Sequence, residues 1–366
     1  MKSFARFDKR ADKNMMDKIA RTFFITSLIV FVLILLGCDE KESDRPAYVR
    51  PKISQMTSYL VKRAEHAARV GAYATALTIC DRIDEEAPDY DYSYFLRGRI
   101  LTNLERHEKA REAYEKVYSL NPDFPAIRFT LGNNAVDRRK SHNALDYFKE
   151  ELKLIPPDDP VIKKQATLLQ IGKVHKELGE LDQAKAVLEQ AIALDANHDE
   201  VNSELSQIYE EEGEIELALE AGLKALELKP ESPDYQYFAG VLLYKAERPQ
   251  EAITLLEKAK TARPWFHGVY FNLGRSLQVL GRLEEGEQYL SMVDSLQKRS
   301  SELGMARTDA EVHGGVKRWI DYGNMLVDDQ RLDEALQAYQ IALYTEPNDS
   351  AAKSAVDRVK KTMADK

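Results

Sequence analysis

The sequence predicts an all-α fold, a solenoid of stacked helix pairs, on three observations. From Thr57 onward the chain repeats at 34 residues. Two columns of small residues recur inside that repeat, twelve positions apart, and proline recurs near its end. A period of this length marks a supersecondary unit that cannot bury its apolar face alone, so neighbouring units must stack.

Eight units fit: 57–90, 91–124, 125–158, 165–198, 199–232, 233–266, 267–300 and 316–349. Their eighth position holds Ala64, Gly98, Gly132, Gly172, Ser206, Gly240, Gly274 and Gly323. Their twentieth holds Ala76, Ala110, Ala144, Ala184, Ala218, Ala252, Gly286 and Ala335. Two antiparallel helices approach closely only where neither carries a bulky side chain, so the columns read as the two sides of a helix crossing. Between them lies turn chemistry: Gly71, Gly179, Gly213 and Gly281 in four units, charged or amide residues in the others. Pro88, Pro122, Pro156, Pro230, Pro264 and Pro347 end the second helix, because proline cannot donate the next backbone bond.

This pattern resembles the tetratricopeptide repeat. The seventh unit carries it most fully, in Tyr270-Phe271-Asn272-Leu273-Gly274 with Leu277, Gly281, Gly286 and Leu290. The resemblance covers about residues 57 to 349 and implies a right-handed α-solenoid of helix-turn-helix repeats in which contacts run only between adjacent units. Ser350 to Met363 suits a C-terminal capping helix, with Asp349 as N-cap and Ala352, Ala355, Val356, Val359 and Met363 along one face. Two inserts break the register. Residues 159–164 read as a longer turn. In 301–315 the preceding helix overruns past Lys298, where the usual proline is lost, and Thr308 to Gly315 reads as a loop that leaves the eighth unit offset or mobile.

The net charge is −9, but residues 1–37 carry seven Lys/Arg against three Asp, so that −9 with this +4 removed leaves the body at −13. Such a body repels phosphate backbones, which argues against a nucleic-acid partner. The two cysteines, Cys38 and Cys80, sit in contexts too different for a structural disulfide, and Cys80 falls at a core-facing helical position.

Thr22 to Leu36 is an apolar run without a charge, preceded by Lys18 and Arg21. It is shorter than the roughly 20 residues of a spanning helix and matches the roughly 7 to 15 of a signal-peptide core. Charge asymmetry places the N-terminus in the cytoplasm and the body outside. Leu35-Leu36-Gly37-Cys38 resembles the lipobox of bacterial lipoproteins. That resemblance implies a signal peptide over 1–37, lipidation of Cys38 and a flexible tether over 38–56, in a bacterial cell envelope facing the periplasm, with Asp39 pointing to the inner membrane. The alternative is an uncleaved, single-pass signal anchor, and Met15 and Met16 are alternative starts.

In tetratricopeptide arrays the first helix of each unit lines the concave groove, and ligands meet its second, fifth, ninth, twelfth and thirteenth positions. The resemblance therefore implies a peptide-binding groove that includes Tyr92, Phe95, Arg99, Asn103, Phe129, Asn133, Lys173, Tyr237, Tyr244, Phe271, Arg275 and Asn324. The competing reading of the fifth-position aromatics, Phe95, Phe129, Tyr237 and Phe271, is that their rings are partly core. The family's clamp for a C-terminal carboxylate is incomplete, since no Lys stands at the fifth position beside Arg99, Asn133, Arg275 or Asn324. No phosphate-binding Gly loop, paired-Cys site or His-Glu-x-x-His helix occurs, and the seven His are scattered, so neither a metal nor another cofactor is expected. The expectation is a scaffold or adaptor, not an enzyme, holding protein or peptide ligands and assembling an envelope complex. The alternative is a regulatory subunit of a membrane-bound cell-envelope enzyme.

Overall fold

The computed structural model describes residues 51–156 and 161–365. The apolar run, Cys38 and the first part of the tether lie outside the described residues. Among those described there are seventeen helices and no strand. The first four are α1 (Gln55–Arg69), α2 (Tyr73–Glu86), α3 (Asp91–Asn103) and α4 (His107–Leu120). Then come α5 (Ile127–Asp137), α6 (Ser141–Leu154), α7 (Val161–Glu177), α8 (Leu181–Leu194), α9 (Asp199–Glu211) and α10 (Ile215–Leu228). They are followed by α11 (Pro233–Lys245), α12 (Pro249–Ala262), α13 (His267–Val279), the long α14 (Leu283–His313), α15 (Val316–Asp328), α16 (Leu332–Thr345) and α17 (Ser350–Ala364).

The helices divide into two compact units. One is Arg128–Gly304; the other joins the chain up to Ile127 with Met305–Lys366. This second arrangement corrects the expectation that contacts run only between adjacent repeats, because α16 packs near α2 although most of the sequence separates them.

Each hairpin closes on a size-matched pair. An alanine Cβ at Gly132 would stand 2.5 Å from the Phe148 ring, one at Gly172 2.6 Å from Leu188, and one at Gly274 2.6 Å from Leu290. The eighth-position glycine thus faces a large side chain at position twenty-four, a column the sequence reading passed over. The twentieth position contributes backbone instead, as where Gly286 O would lie 2.9 Å from a Cβ on Gly274. Where position eight is larger, position twenty-four shrinks: Ser206 faces Gly222, and the first hairpin carries Ala64 with Cys80, both fully buried. Cys80 is therefore a core residue, and burial pushes its thiol up to about 12.

All eight hairpin turns place one residue in the left-handed region. Gly71, Gly179, Gly213 and Gly281 do so freely, whereas Glu105, Arg139, Glu247 and Gln330 do so at φ between 55° and 61°. A side chain there costs roughly 1 to 2 kcal/mol.

Two sequence expectations are corrected by helix ends. Residues 161–164 are not a turn; they form the first turn of α7. Thr308–His313 is not a loop; α14 runs through it, with Arg307–Glu311 and Asp309–His313 paired one turn apart. No proline stops the helix before Gly314 and Gly315, at φ +62° and +88°, end it. The final helix α17 is capped as expected: Asp349 accepts from the Ala352 N–H at 2.7 Å, and Ala352, Ala355, Val356 and Val359 are buried. No helix among the described residues is long and apolar enough to cross a membrane.

Candidate functional site

In the Arg128–Gly304 unit, side chains link the first helices of successive hairpins from α7 to α13. From α7, Lys173 donates to Glu200 of α9 at 3.5 Å and lies 3.9 Å from Glu204. Lys176 pairs with Glu204 and donates to Gln207 at 2.8 Å. Lys245 of α11 reaches back to Glu210 of α9. Asn272 of α13 donates to the Tyr237 hydroxyl of α11 at 3.4 Å. The first-helix face is thus a row of lysines, carboxylates and amides whose charges alternate along the stack.

The row ends in exposed apolar and cationic groups. Phe271, at 48% exposure, shares one face of α13 with Arg275 and Val279, all exposed and spaced four residues apart. Tyr237 is half-buried, its ring edge-on to Phe266 at 4.8 Å, and burial raises its phenol pKa despite the Asn272 hydrogen bond. Tyr244 is half-buried against the core beneath. Phe129 is half-buried with its ring 5.5 Å from Phe148, and Asn133 is half-buried on the same helix, α5.

The remaining expected groove residues belong to the other unit. Tyr92 and Phe95 are core: they are 3% and 7% exposed, the Tyr92 hydroxyl donates to Glu65 at 2.7 Å, and the Phe95 ring packs 4.9 Å from Phe124. For Phe95 the packed alternative describes the structure, and Tyr92, expected in the groove, is buried as well. Arg99 is half-buried and Asn103 exposed, both beside Tyr73. Asn324 is exposed on α15, where its Oδ1 accepts from the Tyr339 hydroxyl at 2.8 Å.

The sequence reading missed Glu204, which two lysines address, and a triad that ties two hairpins together. Tyr235 donates to Asp199 at 2.8 Å, and the Lys229 ammonium stands 2.6 Å from the same carboxylate. Burial opposes the charged form of Asp199, but the hydrogen bonds from Lys229 and Tyr235 outweigh it and hold the carboxyl below its usual range. Burial and the same carboxylate push the Tyr235 phenol up. Asp199, Lys229 and Tyr235 sit at the ends of three successive helices rather than along one helical stripe, so they give no periodic signal. Among the described residues, no three His, Cys, Asp or Glu side chains converge as a metal site would require.

Comparison with known proteins bears on the repeats and the fold. Models of the tetratricopeptide repeat match residues 92–124, 169–233 and 224–265, so the chain carries tetratricopeptide repeats. Tetratricopeptide repeat protein 21A of Mus musculus is 24% identical over 164 residues. That stretch is 45% of this chain but 11% of the mouse protein, so this chain spans only a small part of that relative's length. Among solved structures, PilW, a type IV pilus biogenesis factor, is 18% identical, with 59% of this chain and 98% of that one covered at a TM-score of 0.52. Pseudomonas aeruginosa pilF is 14% identical, with 58% and 94% covered at 0.50. These likenesses concern the all-α solenoid fold.

Proposed function

We propose that the chain is a membrane-anchored scaffold that holds a protein or peptide on its first-helix face and so assembles or stabilises a complex in a bacterial cell envelope. The observation that carries this reading is the juxtaposition on α13 of exposed Phe271, Arg275 and Val279 at the end of the Lys–Glu row. An exposed aromatic beside a guanidinium supplies apolar area and directed donors together, the pairing that concentrates binding energy at protein interfaces. The row beside it offers fixed charges that set the register of an extended ligand. The acidic body disfavours nucleic acid, and the chemistry of this face calls for no catalytic group.

The anchor is the second half of the proposal. The apolar run Thr22–Leu36 and the following Gly37-Cys38 support a lipidated N-terminus, and diacylation provides the two hydrophobic signals that stable attachment needs. The body would then face the periplasm, with Asp39 favouring the inner membrane.

A photoreactive residue at position 271 in cells tests the reading. Adducts with one or more envelope proteins, absent when the residue is placed at exposed Glu220 on α10, are expected. No adduct at 271, or the same adducts at both positions, would refute it. Structural components among the adducts support the assembly role, whereas a single dominant envelope enzyme would replace it with the regulatory-subunit reading.

A further inference from the structure

At the seventh position of the first helix, six hairpins carry a buried apolar residue: Leu131, Ile171, Leu205, Ala239, Leu273 and Tyr322. The first two carry arginine: Arg63, which is exposed at the start of the described array, and Arg97. A guanidinium cannot fill an apolar seam, and that of Arg97 is turned onto Asp81 at 2.8 Å and Asp84 at 2.5 Å of α2. The seam between the first two hairpins is left open as a groove of about 560 Å³, lined by Leu77, Tyr94, Leu101 and Lys116.

One wall of that groove comes from the far end of the chain. Tyr344 of α16 lines it, with the Arg106 guanidinium 5.7 Å from its ring. Around it the end of α14 and the last repeat meet the hairpin turns. Arg307 donates to both carboxylate oxygens of Glu105 at 3.0 Å, and Gln337 donates to the same carboxylate at 3.1 Å. Lys360 donates to the Val70 carbonyl at 3.1 Å, and a Cβ on Gly71 would collide with the Gln340 amide. Glu105 stands at φ +56°, at the turn position that is glycine in four hairpins. Its carboxylate is retained there against backbone strain, and the contacts it makes are with Arg307 of α14 and Gln337 of the last repeat.

We propose that the turns of the first two hairpins, at the edge of this groove, are a docking surface whose occupant is the chain's own C-terminal segment, residues 305–364, held reversibly with Glu105 as the latch. The hydrogen bonds of this contact lie at the surface, and the Arg307–Glu105 pair is solvent-accessible at 45% and 24%. Exposed ion pairs of this kind contribute little each and weaken with salt, so the docked and undocked states are closely balanced.

The test uses the full chain with Cys38→Ser, leaving buried Cys80 unlabelled, and nitroxides on Thr75→Cys and Glu346→Cys, both exposed and outside the contact. Electron–electron distance measurements should give one short distance at low salt and a growing longer population at about 1 M salt. Arg307→Glu should shift the docked-to-undocked ratio at least about fivefold at low salt. Adding Glu105→Arg should restore the short distance. Glu105→Gly should lengthen the distance while leaving helix content and thermal midpoint unchanged or raised, since it relieves the turn. The proposal fails if all variants share one distance, if the reversed pair does not restore docking, or if mixed singly labelled chains show the short distance between molecules.

Discussion

Ser206 and Gly222 face each other across the α9–α10 hairpin with their sizes reversed relative to the glycine-containing hairpins. A Cβ on Gly222 would lie 2.9 Å from the Ser206 hydroxyl, which donates to the Ala218 carbonyl at 2.6 Å. Gly222→Ala alone should therefore overpack the crossing and cost about 1 to 3 kcal/mol. Combined with Ser206→Gly it should cost less than the sum of the two single changes by about 1 kcal/mol or more. Urea unfolding followed by helix circular dichroism measures this coupling, and strict additivity would remove the size-matching account of the hairpins.

Asp199 joins Lys229 and Tyr235 between hairpins, and its carboxyl is held below the ordinary value of 3.8. A depressed folded-state pKa contributes stability above the unfolded value, lost as pH falls below it through the folded value. Asp199→Asn should therefore destabilise the protein at pH 7 by about 1 to 3 kcal/mol. The gap between variant and parent should close as the pH is lowered beneath about 4. A gap that persists unchanged at acid pH would mean that the triad's contribution is not electrostatic.

Cys80 is fully buried, with its thiol pushed up to about 12. Alkylation at pH 8 should be at least roughly a hundredfold slower at Cys80 in the folded chain than in urea, because the reactive species is the thiolate. Peptide mass spectrometry after timed iodoacetamide exposure gives both rates. Equal rates would place the thiol at the surface.

The hairpins were legible because close packing leaves a local signature: a glycine where a ring must fit, a proline where a helix must stop. Gly98, Gly132 and Gly323 face Tyr114, Phe148 and Tyr339 as a result. The end of α14 was misread because a missing proline reports only that a helix continues, not how far, and the helix runs on to His313. The docking of Tyr344 and Arg307 near the first hairpins left no sequence signal, since periodicity reports neighbours and this contact joins residues more than 200 positions apart.

The candidate face was legible only in part. Position rules implied Phe271 and Arg275, which are exposed, together with Tyr92 and Phe95, which are core. The difference lies in local partners: Phe95 has the rings of Tyr114 and Phe124 within 6.0 Å and 4.9 Å to pack on, whereas Phe271 stands at nearly half its full exposure.

Lipidation at Cys38 predicts that the mature protein, extracted from membranes in detergent, begins at that cysteine and carries a diacylglyceryl group with an added acyl chain. Intact-mass measurement checks both. A full 366-residue chain with a free thiol would defeat the lipid anchor and leave the single-pass signal anchor in its place.

The central claim is that a protein partner is held on the first-helix face through α13. Its most direct test is the affinity of the partner recovered by crosslinking, measured by calorimetry for the parent, for Phe271→Ala with Arg275→Glu, and for Glu220→Ala on α10. The account predicts at least about a tenfold loss for the double variant, as truncation of an aromatic–arginine anchor produces, with no change for the control. Because all three side chains are exposed, the thermal midpoints should match. Undiminished affinity in a folded double variant, or an equal loss in Glu220→Ala, would contradict it.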